Sequence, residues 1–522
     1  MEDLLTRLLN FYHISKKDYS SLTMPVDEDN FFLDHKFEKM DEIVQVVKEA
    51  VANKQKIFIY GDYDCDGIMA VSILVKMFAY INYPVSYQVP NRYGDGYGLT
   101  LKKSEEIVKN GYDMIITVDN GITAFEGVEY AKENGLKVLI FDHHQPDEKL
   151  PNADYILHPS VSHFGDVPTS AGFVTFMFAL NYLGRFDQYL ATLAAISLVS
   201  DMMPLVSYNR NLLRLAFDLY KEKSFYNLDL LKEKEVFNEV SIGMKIAPKI
   251  NAIGRIIDDN DDIKKTVVYF TSDDRSLLLN YNLWINHVNG LRKEITKSAI
   301  EAAKNIDVDQ AAIVAIINQK EGIIGLIANG FVKKHNKPTI IFALDSSGEF
   351  YKGSCRAPQG FNVVNAFNEL SEYIAASGGH AMAGGCSIKI ENYEIFKEKF
   401  IALAESFPPA VVVKMDTIDL YINEITRDNY ELVNSFSPFG ENWPNPHFKL
   451  SRIRVDSLLY SRDGQHITTS IGNFAKLTGF HFSRDEMSKY QYIDMIGTLR
   501  LSTYYGKTSV EFLINEINES KK

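Results

Sequence analysis

Residues 56–67 read KIFIYGDYDCDG, and this stretch decides the fold, because a short apolar run leads directly into a loop rich in aspartate. Two later stretches repeat the arrangement, MIITVDNG (114–121) and KVLIFDHH (137–144). Amphipathic helical stretches separate the three runs, near 67–80, 101–110 and 124–134. Short apolar runs that alternate with helices predict an α/β domain whose parallel sheet is buried on both faces.

Acidic residues follow each of the three apolar runs. In an open parallel sheet the carboxyl ends of the strands share one edge, where ligands bind. The residues expected to meet there are Asp62, Asp64, Asp66, Asp119, Asp142, His143 and His144. Their mutual repulsion favours bound cations, and carboxylates with imidazoles suit Mn²⁺ or Mg²⁺. Two ions about 3.5–4 Å apart, sharing an aspartate, would form a site for hydrolysing a phosphate ester.

Each of these residues also has an ordinary structural interpretation. An aspartate after a strand is commonly a helix N-cap or a turn former. The recurrence of acids on three strands, beside two histidines, favours a metal site over shared caps. Asp62 stays open between a ligand and a structural role. Cys65 is interpreted as a small residue that fills a tight loop rather than as a soft ligand.

Composition bounds the class of protein. The chain of 522 residues is too long for one typical core, and its 46% hydrophobic content is ordinary for a globular protein. No apolar run approaches the roughly 18 residues that span a bilayer. The start has an acid at position 2 and no signal-peptide pattern. Three scattered cysteines indicate no disulfide framework, so we expect a cytoplasmic protein without a membrane segment.

The net charge of −13 disfavours a protein that coats nucleic acid by bulk charge. An enzyme that binds one strand in a local basic channel is still compatible with it.

The chain divides into five predicted segments. They are a helical lead-in (1–52), a parallel-sheet domain (53–262), a connecting helical segment (263–305), a smaller α/β domain (306–407) and an OB-like β-barrel (408–522). In the fourth segment, strands are predicted at 311–317, 338–344 and 349–356, and helices at about 324–335 and 362–376. Alternating apolar residues predict five strands in the last segment, after the boundary stretch PPAVVV (408–413).

The motifs GDYDCDG, VDNG and DHH, in this order, resemble those of the DHH phosphoesterase superfamily, and ISLVSDMMPL (196–205) supplies Asp201 for the fourth motif. Four further stretches are similar to the RecJ exonucleases of that superfamily: VPNRYGDGYGL (89–99), KIAPKINAIGR (245–255), KGSCRAPQGFN (352–362) and SGGHAMAGG (377–385). The resemblance extends over essentially the whole chain. It implies a DHH catalytic domain, a helical linker, a DHH-associated domain and a C-terminal OB-like barrel.

The resemblance also implies roles for particular residues. The implied metal ligands are Asp62, Asp64, Asp66, Asp119, His143 and Asp201, with Asp62 the weakest candidate. His144 is implied as a general acid or charge stabiliser beside the scissile phosphate, and Asp142 as the residue that orients the histidines. The implied contacts to the nucleic acid are Arg92, Arg255, Ser354, Arg356, Gly378, Gly379 and His380, with Ser354 and Arg356 in a 5′-phosphate pocket.

The activity implied by the resemblance is a metal-dependent exonuclease that digests single-stranded DNA from 5′ to 3′ into 5′ mononucleotides. Two ions of Mn²⁺ or Mg²⁺ would serve it, in DNA repair and recombination. A monomer is expected, and a single-strand-binding protein or a helicase is the kind of partner implied. Two alternatives remain open: hydrolysis of short oligonucleotides or cyclic dinucleotides, and a non-catalytic DHH scaffold.

The chain departs from the RecJ pattern in three places. At the barrel entry, Glu441-Asn442-Trp443 stands where Gly-Asn-Pro is usual, which alters a turn. Asn329-Gly330 stands where Ser-Arg is common, so a phosphate contact there is expected to be missing. The sequence also ends after the expected barrel, where longer RecJ proteins continue into a domain linked to partner binding.

Overall fold

The computed structural model describes residues 2–28, 36–94, 96, 98–302, 306–345, 347–406, 416–472, 475–504 and 507–520. The chain forms two compact units. The larger unit comprises residues 28–203 and 212–412, and the smaller unit comprises 1–27, 204–211 and 413–522. The segment boundaries predicted at 305/306 and 407/408, including the stretch PPAVVV, lie outside the described residues.

The larger unit begins with a five-stranded sheet that confirms the predicted α/β class. Its strands are β1 (Ile57–Tyr60), β2 (Ser86–Gln88), β3 (Met114–Val118), β4 (Lys137–Phe141) and β5 (Tyr155–Leu157). All pairings are parallel, in the order β2-β1-β3-β4-β5. The three central strands coincide with the predicted apolar runs and are almost wholly buried, because helices cover both faces. The sequence analysis missed the two edge strands, each of three residues.

Helices surround this sheet and continue beyond it. They are α3 (Met40–Ala52), α4 (Cys65–Tyr80), α5 (Leu101–Lys109), α6 (Phe125–Glu133), α7 (Ala171–Leu183), α8 (Gln188–Ser200), α9 (Ser207–Glu222), α10 (Tyr226–Lys232), α11 (Glu239–Ser241), α12 (Ala247–Ile256), α13 (Asn260–Thr271) and α14 (Arg275–Ala302). A π-helical turn at Ile242–Ile246 joins α11 to α12. The first residues of α9 belong to the smaller unit and the rest to the larger one.

A second five-stranded sheet follows in the larger unit. Its strands are β6 (Ile313–Ile316), β7 (Thr339–Leu344), β8 (Phe350–Arg356), β9 (Ile374–His380) and β10 (Ala383–Lys389), in the order β6-β7-β8-β10-β9. Only β6 and β7 pair in parallel. Helices α15 (Glu321–His335), α16 (Val363–Glu369) and α17 (Tyr393–Ser406) accompany it, with 3₁₀ turns at Ser371–Tyr373 and Ile390–Asn392.

The predicted helix at 362–376 is wrong at its end. It stops at Glu369, and residues from Ile374 onward form β9 instead. The small residues and glycines of this stretch are poor helix formers, whereas their backbone pairs with residues 383–388 of β10.

The smaller unit is built on a six-stranded mixed sheet rather than the five strands predicted. Its strands are β11 (Thr417–Asp419), β12 (His447–Arg454), β13 (Ile467–Ile471), β14 (Ala475–Gly479), β15 (Tyr492–Tyr504) and β16 (Lys507–Glu519), in the order β11-β12-β15-β16-β14-β13. Its helices are α1 (Leu4–Phe11), α2 (Lys16–Thr23), α18 (Arg427–Asn434) and α19 (Arg484–Met487), with 3₁₀ turns at Ile422–Glu424 and Val455–Ser457.

Contacts between the two ends of the chain hold the smaller unit together. Arg7 of α1 donates hydrogen bonds to the carbonyl oxygen of Asp419 and to the carboxylate of Glu424. The ring of Tyr12 stacks on Trp443, with 4.3 Å between ring centroids, and on Phe436. In the described part of the chain, no helix is both long and apolar enough to cross a bilayer.

A close backbone approach fixes the residue type at Gly67, in the first turn of α4. A Cβ atom there would stand 2.5 Å from the carbonyl oxygen and 2.7 Å from the nitrogen of Asp62. Backbone atoms cannot move aside as a flexible side chain can. Gly67→Ala is therefore expected to lower the free energy of unfolding by about 1–3 kcal/mol, measured by urea denaturation.

Gly290→Ala is the matched control, because it also lies in a helix but a Cβ there meets nothing within 4 Å. It is expected to stabilise the chain by about 0.5–1 kcal/mol. Equal effects of the two substitutions would contradict the steric explanation.

Candidate metal centre

The carboxyl ends of β1, β3 and β4 bring candidate ligands from distant parts of the chain together. His143 lies at the centre, and its Nε2 atom is 3.2 Å from Asp119 and 3.5 Å from both Asp66 and Asp201. Three overlapping groups have ligand atoms within 4.8 Å of one another: Asp119, His143 and His144; Asp66, His143 and Asp201; and Asp62, Asp64 and Asp119. Asp119 and His143 each belong to two groups.

Asp119 follows β3 in a left-handed backbone conformation, with φ of 62°. Aspartate and asparagine tolerate this conformation better than other residues that have a Cβ atom. The turn places the buried Asp119 carboxylate beside β4 rather than in solvent.

Three further aspartates sit at helix ends. Asp64 is the N-cap of α4, and its carboxylate accepts a hydrogen bond from the Gly67 amide at 3.1 Å. Asp66 accepts hydrogen bonds from the first two amides of α7, both at 2.8 Å, and from Ser197 of α8. Asp201 is the C-cap of α8. The capping role and the place in the cluster therefore coexist for Asp64, although the sequence analysis weighed them as alternatives.

The charge state of the cluster fits bound cations. Burial, followed by the negative charge of Asp64, raises the pKa of Asp62 to about 8. Burial and the charge of Asp66 raise the pKa of Asp201 to about 8 and that of Asp119 well above its ordinary value. The Oδ1 atom of Asp62 is buried and has no hydrogen-bond partner among the described residues. Buried carboxylate oxygens that repel one another, together with an imidazole, suit a hard divalent cation.

Asp142 and His144 form a pair beside the cluster. The Asp142 carboxylate accepts hydrogen bonds from His144 Nδ1 at 2.8 Å and from the amides of His143 and Ile122. Burial opposes ionisation of Asp142, but the hydrogen bond and charge of His144 outweigh it and lower the pKa to about 2. Burial also opposes ionisation of His144 and so lowers its pKa. The hydrogen bond to Asp142 and the negative charge of Asp142 outweigh this effect and raise the pKa of His144 to about 9. The pair therefore holds a protonated imidazole, about two-fifths exposed, at the rim of the cluster.

His143 differs from its neighbour. Burial lowers its pKa more than the nearby carboxylates raise it. The neutral ring presents Nε2 to three aspartates, as a metal ligand would.

The raised pKa values give a stability prediction for the metal-free chain. Asp62 and Asp201 keep protons in the folded state that the unfolded chain releases above about pH 4. Their contribution to stability is therefore full at low pH and is lost as the pH rises through about 8. A divalent cation replaces those protons. We expect Mn²⁺ to raise Tm above its value in EDTA, and more so near pH 8 than near pH 6.

Differential scanning calorimetry at the two pH values measures this effect. A Tm that Mn²⁺ leaves unchanged at both would contradict the predicted metal site.

A cluster of arginines lies next to the acidic cluster. Burial and the positive charges of Arg92, Arg356 and Arg292 lower the pKa of Arg255 to about 10, although the negative charge of Asp64 opposes this shift. Among the residues that the structure describes, these four arginines form no ion pair. Partly buried guanidinium groups that repel one another favour an anion such as phosphate.

Each predicted arginine is held by local contacts. The Arg92 guanidinium stacks on the ring of Tyr63 at 4.2 Å. Arg255 donates to the carbonyl oxygen of Gly322 at 3.1 Å. Arg356 donates to Ser354 Oγ at 3.1 Å, so this predicted pair lies together at the end of β8.

The predicted contacts Gly378, Gly379 and His380 occupy a different place. They form the exposed end of β9, the edge strand of the second sheet. Gly379 has φ of 143°, and a Cβ atom there would collide with the backbone of Ala383 and Gly384. No described hydrogen bond or ion pair joins these three residues to the metal cluster or to the arginines, and their contact with a strand stays a prediction.

Sequence reasoning missed several residues of the site. No sequence pattern marks Arg292 of α14 as part of the site, because one arginine in a long amphipathic helix is ordinary. Asn251 accepts a hydrogen bond from the Cys65 amide at 2.8 Å and lies within the quoted segment 245–255, which could have drawn attention to it. His158 contacts the carbonyl oxygen of His144 at 2.8 Å, without any recognisable motif around it.

Three family models match the chain. They are the DHH family, N-terminal domain, over residues 56–198, the DHHA1 domain over 288–406 and the RecJ OB domain over 418–516. The chain is 28% identical over 510 residues to the single-stranded-DNA-specific exonuclease RecJ of Bacillus subtilis. That match covers 93% of this chain and 64% of the relative, so the chain spans less than two thirds of the relative's length.

Solved structures agree with this fold. RecJ of Thermus thermophilus in complex with Mn²⁺ superposes with a TM-score of 0.85 at 22% identity, over 99% of this chain and 76% of that one. The same protein in complex with Mg²⁺ gives 0.78 at 20% identity, over 99% and 75%. RecJ structures thus hold these ions, and this chain has acidic and histidine groups that could hold a metal. The chain is thus similar to the RecJ exonucleases and carries, in this order, matches to a DHH domain, a DHHA1 domain and a RecJ OB domain.

Proposed function

We propose that the chain is a metal-dependent exonuclease that digests single-stranded DNA from 5′ to 3′ and releases 5′ mononucleotides. The observation that carries the proposal is the convergence of six candidate ligands at one edge of the parallel sheet, beside arginines that form no ion pair with the described residues. The relatives named single-stranded-DNA-specific exonuclease RecJ support the substrate class.

Two ions, Mn²⁺ or Mg²⁺, fit the overlapping ligand groups. Asp62, Asp64 and Asp119 would hold one ion, and Asp66, His143 and Asp201 the other. Because Asp119 also lies 3.2 Å from His143, its carboxylate is suited to contact both ions. Bound divalent cations supply a nucleophilic water at neutral pH and stabilise charge on a phosphoryl oxygen.

His144 has the geometry of a proton donor to the substrate. Its Nδ1–H donates to Asp142, because the ionised carboxylate can only accept. We infer that the ring acts through Nε2 on the phosphate or the leaving oxygen. Asp142 fixes the ring and keeps it protonated, so it acts as a positioning residue.

The arginines supply the contacts to the strand. Arg92, Arg255 and Arg356 offer charge-assisted donors to phosphate oxygens, with Ser354 beside Arg356 for the 5′-phosphate. The OB domain offers a surface of the kind that holds single strands by stacking and charge.

End-labelled digestion tests the proposal. With Mn²⁺, the chain is expected to shorten a 5′-phosphorylated single strand, to release mononucleotides, and to spare a blunt duplex and a strand with a blocked 5′ end. EDTA is expected to abolish the activity. Equal digestion of strand and duplex, indifference to the 5′ block, or faster turnover of a dinucleotide than of the long strand would each contradict the proposal.

The cytoplasmic location, the monomeric state and partnership with a single-strand-binding protein or a helicase stay predictions of the sequence. A role in DNA repair and recombination fits the proposed activity.

A further inference from the structure

A cavity of 640 Å³ lies in the larger unit, between the loop after β2 and the second sheet. The residues that line it are Arg92, Tyr93, Gly96, Asn318, Gln319, Lys320, Glu321, Leu344, Asp345 and Lys352. None of the candidate metal ligands is among them. Among the described lining residues, Arg92 is the one that is also a proposed contact to the strand. Its volume falls in the range of about 300–1,000 Å³ typical of small-molecule sites.

Strand β8 relates this cavity to the predicted 5′-phosphate pocket. Side chains alternate along a strand, and Cys355 is buried in the core behind the sheet. Lys352, Ser354 and Arg356 therefore share the opposite face. Lys352 lies about 7 Å from Ser354 along the strand, so the cavity is a separate compartment next to that pocket.

Three cations converge on the cavity. The Arg92 Nε atom is buried and has no hydrogen-bond partner among the described residues. Lys352 donates to Ser387 Oγ at 2.9 Å, which leaves two of its three N–H groups unused by that bond. Lys320 bonds to Asp258 at 2.9 Å and lies 5.1 Å from the centre of the Tyr93 ring. An anionic group on the ligand would find donors here.

The remaining lining residues suit a heterocyclic base. Tyr93 offers an aromatic face, and the Asn318 and Gln319 amides can both donate and accept. Two carboxylates are also present. Asp345 accepts hydrogen bonds from Ser347 Oγ and the Phe350 amide, whereas the Glu321 carboxylate is in no described hydrogen bond but is under the positive charges of Arg92 and Lys352. A base that carries an exocyclic amino group would supply a donor to Glu321.

We propose that this cavity binds a nucleoside 5′-monophosphate, with the phosphate on Arg92 and Lys352 and the base near Tyr93, Gln319 and Glu321. The inference rests on the proposed function in one respect, the physiological source of the ligand. Strand digestion would release nucleoside 5′-monophosphates beside the cavity. A bound product would then slow further digestion by occupying Arg92.

Isothermal titration calorimetry in EDTA tests binding without any contribution from a metal ion. The full chain is expected to bind deoxyadenosine 5′-monophosphate more tightly than deoxyadenosine. Lys352→Met keeps the apolar stem of the side chain and is expected to weaken binding of the monophosphate by about tenfold or more, without affecting deoxyadenosine. Lys333→Met, an exposed lysine near the far end of α15, is the matched control and should leave both affinities unchanged.

Arg255→Met separates the cavity from the arginine cluster. Retained binding of the monophosphate in this variant supports the cavity. Loss of binding in Arg255→Met but not in Lys352→Met would overturn the proposal, and so would absence of any binding to the unaltered chain.

Initial rates identify the source of the ligand. Monophosphate added at the start is expected to inhibit the unaltered chain and to spare Lys352→Met, whose uninhibited kcat should be normal. Progress curves that slow only in the unaltered chain would show that released product acts. If the chain binds the monophosphate through Lys352 but does not digest the strand, the proposed nuclease activity is overturned and this inference stands. If the chain digests the strand but does not bind the monophosphate through Lys352, only this inference is overturned.

Discussion

Asp119→Asn is expected to lower kcat/KM for strand digestion by about 10³-fold or more, since residues that merely orient metal ligands already cost about 10–100-fold when replaced. Asp119 belongs to two of the three ligand groups and lies 3.2 Å from His143. Asparagine has the same shape and tolerates the left-handed backbone at this position. The variant should therefore fold, and the loss should report on chemistry.

A thermal measurement distinguishes this explanation from misfolding. Removing one charge from a repelling cluster is expected to raise Tm in EDTA and to shrink the increase in Tm that Mn²⁺ produces. Asp147→Asn, at an exposed position after β4, is the matched control and should change neither quantity. Full activity of the Asp119→Asn variant would contradict the proposed metal centre.

Arg255→Met is expected to raise KM for the single strand by about 10–100-fold, because a hydrogen bond to a charged group contributes about 1.5–3 kcal/mol. The slope of log KM against log salt should also fall, by about 0.7 for one lost phosphate contact. Stability should respond little. The substitution removes a partly buried charge that three other arginines repel, which offsets the lost bond to Gly322.

Arg210→Met provides the opposite pattern as a control. Arg210 is buried in the smaller unit and donates to the carbonyl oxygens of Phe436, Ser437 and Pro438. Its loss should lower the free energy of unfolding by about 3 kcal/mol or more. If Arg255→Met instead destabilised the chain to this extent and left KM unchanged, Arg255 would be a structural residue.

The central strands could be predicted from the sequence because their apolar runs are continuous and each ends in acid. The edge strands β2 and β5 could not be predicted, since three residues such as SYQ (86–88) have no detectable period. β9 was not predicted for another reason. Its small residues carry no hydrophobic pattern, and only pairing with β10 makes them a strand.

The residues of the candidate site also divide into those that the sequence predicts and those that it does not. Residues that end a strand, such as Asp119 and His143, reveal their meeting point through the topology of a parallel sheet. The cluster geometry is consistent with their predicted roles, which remain to be tested by substitution. Arg292 and Asn251 lie on helices, where sequence spacing does not determine which distant residue they approach. Their places depend on packing between helices, which a single sequence does not encode in any short motif.

The contact of Arg7 with Asp419 joins residues 412 positions apart, and it has a consequence for synthesis. At about 5–20 residues per second, a ribosome needs roughly 20–80 s to make the intervening chain. Throughout that time the amphipathic helix α1 lacks the surface that buries Leu4, Leu8 and Leu9. Helix α1 must therefore wait, exposed to chaperones and proteases, until the segment that contains Asp419 emerges from the ribosome.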